Sequence, residues 1–423
     1  MKIISIVPGF GGTFYCGNCL RDSTFTASLL EAGHDAMVLP MYLPLSVNGK
    51  TVTSDIPVFY GAVNIYIKQQ FPFLRHMPQW MENLLNSKSL LRLAASQAGS
   101  TRAEGLEELT ESMLLGEGGR QSRELEEVIQ FLIRQKPDVV HFSNALLLGM
   151  AHRVKNETGA KVVCSLQDED VWVDVMRPEY RGKMWSLLAE KAKDVDIFIA
   201  VSRFFAGVMK QKMSIPEEKI QVIHIGIDPS KYDFHEPPVV PAVGYVSRIC
   251  RENGFHILVD AFIRIKKDPA FGYLKLLVTG GMTGDDKPFL KEQIRKLRQA
   301  DLAKDLEIFP EFDFESLRNY LAKVSLISVP VLHGEAFGLY QLEAMASGVP
   351  VVQPALGAFP EVIGLAGGGR VYEPNSPEAL AEAMKSLLQN PGELSELGRC
   401  GRQGIIDHFS SKLIISRMME IYQ

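Results

Sequence analysis

Short β-branched apolar runs alternate along this chain with longer stretches whose apolar residues recur at helical spacing. That alternation predicts βαβ units and parallel sheets. The first run, Ile3 to Val7, leads through a glycine-rich turn into a helix over roughly Ser23 to Ala32. "GHDAMVLP" supplies a second strand, and further strands are expected in "DVVHF" (138–142), "KVVCSL" (161–166) and "DIFIAVS" (196–202). A helix between Ala206 and Met213 and the strand "IQVIHIG" close the first half.

The pattern then breaks. "DPSKYDFHEPPVVPAVG" holds four prolines and little periodicity, so residues 229–241 read as a linker. Beyond it the alternation restarts with "VGYVS", "LKLLVTGG", "LEIFP", "LISVPV" and "VPVVQP", with helices near 257–267, 289–300, 315–322 and 341–346 between them. The expected organisation is α/β: two doubly wound, Rossmann-like halves at 1–228 and 242–405. A C-terminal helix at 406–423 has the spacing to pack across either half. Residues of about 69–130 interrupt the first half without clear strands, and segments such as "WMENLLNSKSLLRLA" are amphipathic. They read as a helical insertion, either a cap on the first half or an acceptor-shaping lid. Their near balance of acidic and basic residues lends no support to peripheral membrane contact.

Composition narrows the function classes. The 423 residues carry 45 Lys+Arg against 50 Asp+Glu, a formal net charge of −5, which disfavours nucleic acid as a partner. With 46% hydrophobic and 22% charged residues, the chain is globular rather than disordered. Five cysteines form no dense framework and leave one over from any pairing, which fits a reducing compartment. The apolar stretch at the N-terminus breaks at Pro8 and no later run nears 18 residues, so a soluble, cytoplasmic protein is expected.

The densest chemistry lies in "PVLHGEAFGLYQLEAMASGVPVV", residues 330–352. Seven residues separate Glu335 from Glu343, and Gly338 lies in the turn between them. A strand ending near Val331 and a helix starting near Leu339 would aim the N–H groups of Gly338 and Leu339 at an anion. Two carboxylates flanking such a cradle suit a ligand with hydroxyls on both sides of a diphosphate. The bland alternative is a capped helix with solvated acids.

This stretch resembles the retaining glycosyltransferases of the large GT-B family four, with their E-x7-E element. The resemblance extends to Gly11 and Gly12, "PDVVHF", "VSRF", "GID", Arg248, "LLVTGG" and "GAFPEVI", and so covers nearly the whole chain except the insertion. It implies the two-domain GT-B fold with the site in a cleft, the C-terminal half binding a nucleoside diphosphate sugar and the N-terminal half presenting the acceptor. It further implies that Glu343 holds the ribose hydroxyls and Glu335 the donor sugar ring, while Gly338, Leu339 and Arg248 contact the diphosphate. Gly12, Arg251, Asn253, Gly280, Ala336 and Phe337 complete the implied donor site. Similar enzymes retain the anomeric configuration without a metal, a cofactor or an enzymic nucleophile. Two positions depart from the family. Asn253 precedes Gly254 where the family commonly has a lysine, and Arg251 is the substitute cation only if its loop turns inward. Gln167, in "CSLQDED", replaces a histidine; it can hydrogen-bond a sugar hydroxyl but not become cationic.

Other motifs weigh less. The loop "PGFGGTFYCGNCLRD" has Phe14 where G-x-G-x-x-G needs its third glycine, and "DAMVLPMY" offers no acidic residue near the end of the second strand for a ribose, which disfavours nicotinamide. Cys16 and Cys19 form a CxxC with no second pair to complete a zinc site, and read as structural loop cysteines. Asp168-Glu169-Asp170 looks like a metal-binding DxD, but with the phosphate site assigned elsewhere it reads as a solvated or acceptor-facing acidic loop. His141, after "DVV", is a candidate on the acceptor side with a buried core histidine as its alternative. No G-x-S-x-G supports a hydrolase triad.

The candidate catalytic residues are therefore Glu335, Arg248, His141 and Gln167. The reading is a metal-independent retaining glycosyltransferase that moves a hexosyl group from a UDP-, GDP- or ADP-linked sugar to a carbohydrate, lipid or small-molecule acceptor. Its rivals are a catalytically weakened sugar- or nucleotide-binding protein and a sugar-nucleotide epimerase of the same architecture. A phosphorylase would carry a pyridoxal phosphate lysine, which nothing in the sequence marks.

Overall fold

The computed structural model describes residues 1–8, 17–41, 46–47, 50–51 and 105–423, with backbone alone for 17–20, 23, 46–47 and 50–51. Its contacts divide the chain into two compact units. The first comprises Met1–Gly12, Asn18–Ile223 and Ile415–Gln423, and the second is built chiefly from His224–Ile414.

In the first unit the strands are β1 (Lys2–Val7), β2 (Asp35–Pro40), the hairpin β3 (Ser46–Val47) and β4 (Lys50–Thr51), β5 (Val139–Phe142), β6 (Lys161–Leu166), β7 (Ile197–Ala200) and β8 (Ile220–Val222). Six of them form a parallel sheet in the order β2-β1-β5-β6-β7-β8. Runs such as Ile3, Ile4 and Ile6 or Val162, Val163 and Cys164 are wholly buried, as strands covered on both faces require. The crossover helix Ser122–Gln135 shows why these segments coil: Leu125, Val128, Ile129 and Leu132 fall on one stripe, and that stripe is buried. Helix Arg203–Met213 starts where Ser202 Oγ accepts the Phe205 N–H at 3.0 Å.

The second unit contains β9 (Ala242–Val246), β10 (Lys275–Thr279), β11 (Leu306–Ile308), β12 (Leu326–Ile327), β13 (Val351–Pro354) and β14 (Gly369–Tyr372). Their order, β11-β10-β9-β12-β13-β14, reads 3-2-1-4-5-6 within the unit, the order of dinucleotide-binding sheets. The chain runs outward from β9 through β10 and β11, then returns to the other side at β12. Ligands of such sheets bind beyond the carboxyl ends of the strands where that reversal occurs. Helix Pro391–His408 packs closely against helices Leu339–Ala346 and Phe359–Ala366. A Cβ on Gly398, Gly401 or Gly404 would overlap backbone of Gly348, Gly368 or Ala366 respectively.

Three expectations meet the structure differently. "LISVPV" pairs only at Leu326–Ile327 and "IQVIHIG" only at Ile220–Val222, so apolar runs overstate the strands. Residues 69–104 of the insertion lie outside the described residues. Its remainder holds helix Glu107–Leu115 and the start of Ser122–Gln135, which is the regular crossover into β5. The proline-rich stretch is fastened to the second unit: the His235 N–H bonds Ser347 O at 2.9 Å, Asp233 pairs with Arg318, and Glu236 bonds Ser395. Among the described residues no helix is long and apolar enough to cross a membrane.

Candidate active site

Two loops meet at the strand-order reversal of the second unit, one following β9 and one following β12. Leu332 N–H bonds Glu252 O at 2.9 Å, which joins them through backbone. Gly254, at φ +72°, caps helix Phe255–Ile265, and a Cβ there would overlap the Pro330 carbonyl outright. A third loop, after β10, joins the same place: Ile249 N–H bonds Gly281 O at 2.9 Å, and Gly280 at φ +116° lets the chain pass Ser247.

Arg248 leaves the first of these loops. Its guanidinium grips Asp286 with Nε at 2.8 Å and Nη2 at 3.0 Å, while Nη2 also reaches Thr283 Oγ1 at 3.3 Å. Asp286, almost fully buried, also accepts from the Thr283 N–H and hydroxyl. Burial pushes its carboxyl up, but the Arg248 and Thr283 bonds outweigh it and hold it below the usual aspartate range. Asn253 serves the loop itself, its Nδ2 donating to Ser247 Oγ at 2.8 Å and Arg248 O at 3.3 Å. Arg251 pairs with Glu292 and lies over the Phe289 ring at 5.3 Å, toward helix Lys287–Gln299.

The loop after β12 carries Glu335, Ala336, Phe337 and Gly338 into helix Leu339–Ala346. Gly338 is left-handed at φ +82°, and buried Gln341 donates to Phe337 O at 2.9 Å, holding the turn from inside the helix. Phe337 packs against His224 and Phe409, and His224 Nε2 is 2.8 Å from Glu361 of the "GAFPEVI" segment. The Glu335 carbonyl accepts from Ala358 N–H at 2.9 Å, which seats the same segment under the loop. Glu343 lies one turn inside the helix, 4% exposed, with its Oε1 accepting the Tyr232 hydroxyl at 3.0 Å.

Arg248, Asn253, Gly280, Glu335, Ala336, Phe337, Gly338, Leu339 and Glu343 thus stand on loops and one helix at a single end of the second sheet. Gln167 and His141 belong to the first unit, and Gly12, Cys16 and the side chain of Cys19 lie outside the described residues. Sequence reading missed Asp286, Thr283 and Tyr232. Thr283 and Asp286 form a capping box, a spacing visible in "TGDD"; Tyr232 left no comparable mark.

In the first unit Gln167 follows β6, and its Nε2 donates to Ser143 O at 2.7 Å. In the acidic triplet beside it, Asp168 and Asp170 are half-buried and Glu169 is not solvated. Glu169 is 1% exposed and accepts the N–H groups of Ala145 and Gln167 at 2.8 and 2.7 Å, and burial pushes its carboxyl up to about 8. Among the described residues no group of three or more His, Cys, Asp or Glu is gathered to hold a metal ion.

His141 is buried with both ring nitrogens engaged, Nδ1 with the Tyr422 hydroxyl at 2.6 Å and Nε2 with Ser165 Oγ at 2.8 Å. Burial, reinforced by the Arg21 charge, pulls its pKa down to about 3. An unfolded chain protonates this histidine near 6.5, so stability is lost as pH falls below 6.5 toward 3. The slope reaches about 1.4 kcal/mol per pH unit. Urea midpoints from pH 7.5 to 5 are expected to fall more steeply in the natural protein than in His141→Gln, by close to one proton. Glu169 titrates with the opposite sign but is present in both chains and cancels. Equal slopes would show that His141 is not held neutral.

A family model for glycosyl transferases group 1 matches residues 240–390, and one for glycosyltransferase family 4 matches residues 110–231. The chain is 28% identical over 251 residues to an alpha-maltose-1-phosphate synthase of Mycolicibacterium smegmatis, covering 54% of this chain and 63% of the relative. It is 25% identical over 297 residues to a glycogen synthase of Mycobacterium tuberculosis, covering 68% and 69%. The chain spans about half to two thirds of the length of most of the curated relatives it matches first. Among solved structures, sucrose-phosphate synthase from Thermosynechococcus elongatus aligns over 100% of this chain and 98% of its own, with TM-score 0.71 and 16% identity. HepE from Anabaena in complex with UDP aligns over 100% and 99%, with TM-score 0.69 and 18% identity. These likenesses are of fold: two parallel sheets flanked by helices, the GT-B architecture.

Proposed function

We propose, for a chain that belongs to the family 4 glycosyltransferases of group 1 type, that it transfers a hexosyl group from a nucleoside diphosphate sugar to an acceptor hydroxyl with retention. The observation that carries this is that the loop bearing Arg248 and the loop leading to Glu335–Leu339 join through Glu252 and Leu332 at the strand-order reversal of the second sheet. HepE, of the same fold, is known in complex with UDP and with UDP-glucose, which supports a donor of this class.

In this reading Glu343 accepts hydrogen bonds from the ribose and Glu335 from the donor sugar. The N–H groups of Gly338 and Leu339 meet the diphosphate at a helix N-terminus, and Arg248 adds the cation. Charge builds on the departing diphosphate as the C1–O bond breaks, so these groups act where the transition state needs them. The acceptor oxygen bonds C1 on the face the diphosphate leaves, and its proton passes to a diphosphate oxygen. The first unit is the acceptor side, and the acceptor is a carbohydrate, a lipid or a small molecule.

A thermal-shift panel of UDP, GDP and ADP with their common sugars tests the donor class. A true donor at 100 times its dissociation constant adds about 2.7 kcal/mol of stability, and a panel with no shift overturns the reading. Glu343→Ala is expected to weaken nucleotide affinity and Glu335→Ala mainly to lower turnover; negligible effects of both would remove the two carboxylates from the site. Transfer is expected to survive EDTA, and its abolition would reassign the acidic triplet.

A second reading is a sugar-nucleotide-binding protein with little turnover. It draws on Asn253 in place of the family's lysine and on the buried Asp286 that shares the charge of Arg248. Saturable nucleotide binding with neither transfer nor donor hydrolysis would favour it. Conversion of the donor with no acceptor present would favour an epimerase.

A further inference from the structure

We propose that Tyr232 is a positioning residue that sets selectivity for a ribose in the second unit by fixing the Glu343 carboxylate. The proposal rests on the reading of Glu343 as the ribose-binding carboxylate. Tyr232 lies 111 residues before Glu343, in the proline-rich stretch expected to be a linker, yet its hydroxyl donates to Glu343 Oε1 at 3.0 Å and both side chains are buried.

The terminal torsion of a glutamate is soft, with broad and roughly two-fold preferences. A carboxylate meant to accept from adjacent ribose hydroxyls loses selectivity if it swings, and the phenol pins one of its oxygens. The phenol is pinned in turn. Its ring stands edge-on to Phe314 with centroids 5.3 Å apart. Its backbone carbonyl accepts from Arg402 Nη1 at 3.0 Å, and the same nitrogen bonds Ala346 O in the last turn of the helix that bears Glu343. Arg402 therefore fixes Tyr232 against that helix at a second point. Burial and the neighbouring Glu343 charge push the phenol far above its usual pKa, so it stays a donor. A phenylalanine at 232 would keep the ring packing and lose the bond.

The test compares dissociation constants of the tightest of UDP, GDP and ADP with those of its 2′,3′-dideoxy counterpart. The natural protein is expected to prefer the ribonucleotide by about tenfold or more, the scale of hydrogen bonds to a charged group. Tyr232→Phe is expected to shrink that ratio about fivefold, with little change for the dideoxy ligand and an unchanged preference for the diphosphate over the monophosphate. In a Glu343→Ala background, adding Tyr232→Phe should change the ratio no further. A ratio that survives Tyr232→Phe overturns the proposal and leaves the reading of Glu343 standing. A further loss in the Glu343→Ala background also overturns it, since Tyr232 would then act by another route. A natural protein with no ribose preference overturns the ribose role of Glu343 and the proposal with it.

Discussion

Arg248→Ala is expected to cost the protein roughly 3–5 kcal/mol of stability in addition to most of its nucleotide affinity, because the change strands a buried carboxylate. Asp286 is 4% exposed and is held by Nε and Nη2 of Arg248 and by the N–H and hydroxyl of Thr283. With the guanidinium gone only the Thr283 donors remain to oppose burial, and the carboxyl's pKa rises from its lowered value. The natural pair contributes stability above the unfolded aspartate pKa and loses it as pH falls through the lowered folded value. In the variant that dependence is expected to weaken, so the stability of the two proteins converges as pH falls. Pairing Arg248→Ala with Asp286→Asn separates the two roles: urea denaturation should show most of the stability restored, while titration with UDP, GDP and ADP should show affinity still lost. A single variant as stable as the natural protein would mean the pair does not form. A double variant that binds nucleotide normally would remove Arg248 from the diphosphate site.

Gly254→Ala is the second large effect, expected at about 2–5 kcal/mol. A left-handed backbone costs a residue with a Cβ about 1–2 kcal/mol, and overpacking adds about 1–3 kcal/mol. Gly254 is left-handed, and its missing Cβ leaves the room that the Pro330 carbonyl occupies. Relief would push apart the loops bearing Arg248 and Glu335, so the denaturation midpoint and nucleotide affinity should fall together. Gly284→Ala is the control, since a Cβ there meets nothing within 4 Å. Equal behaviour of the two variants would mean that the loops are not in contact.

The fold was legible where burial on both faces makes a strand continuously apolar. "KVVCSL" coincides with Lys161–Leu166, and the 3.6-residue period placed helix Leu339–Ala346 to within two residues. Helices Pro178–Lys191 and Pro391–His408 were not anticipated. The first buries only Met184 and Leu188, and the second buries Gly398, Gly401 and Gly404 between Leu394 and Ile405, so neither shows a continuous apolar stripe. Strand Gly369–Tyr372 begins with Gly and Arg at a sheet edge, where alternation carries little signal. The candidate site was legible as far as local spacing could carry it: Gly338 before a helix and Glu343 one turn inside. What supports those residues is long-range. Asp286 lies 38 residues from Arg248 and Tyr232 lies 111 from Glu343, and no periodicity links residues that meet only through tertiary structure. Glu169 was misread for a related reason: an acidic triplet signals solvent unless backbone donors from another loop meet it, and those donors come from Ala145 as well as Gln167.

Residues 415–423 belong to the first unit, and Tyr422 closes a hydrogen bond on His141 across 281 residues of sequence. On a ribosome that distance is time. At about 5–20 residues per second, the imidazole of His141 waits roughly 14–56 seconds for its phenol, while the whole second unit is made. The first unit is thus completed only after the second has been made, and until then His141 lacks its phenol partner.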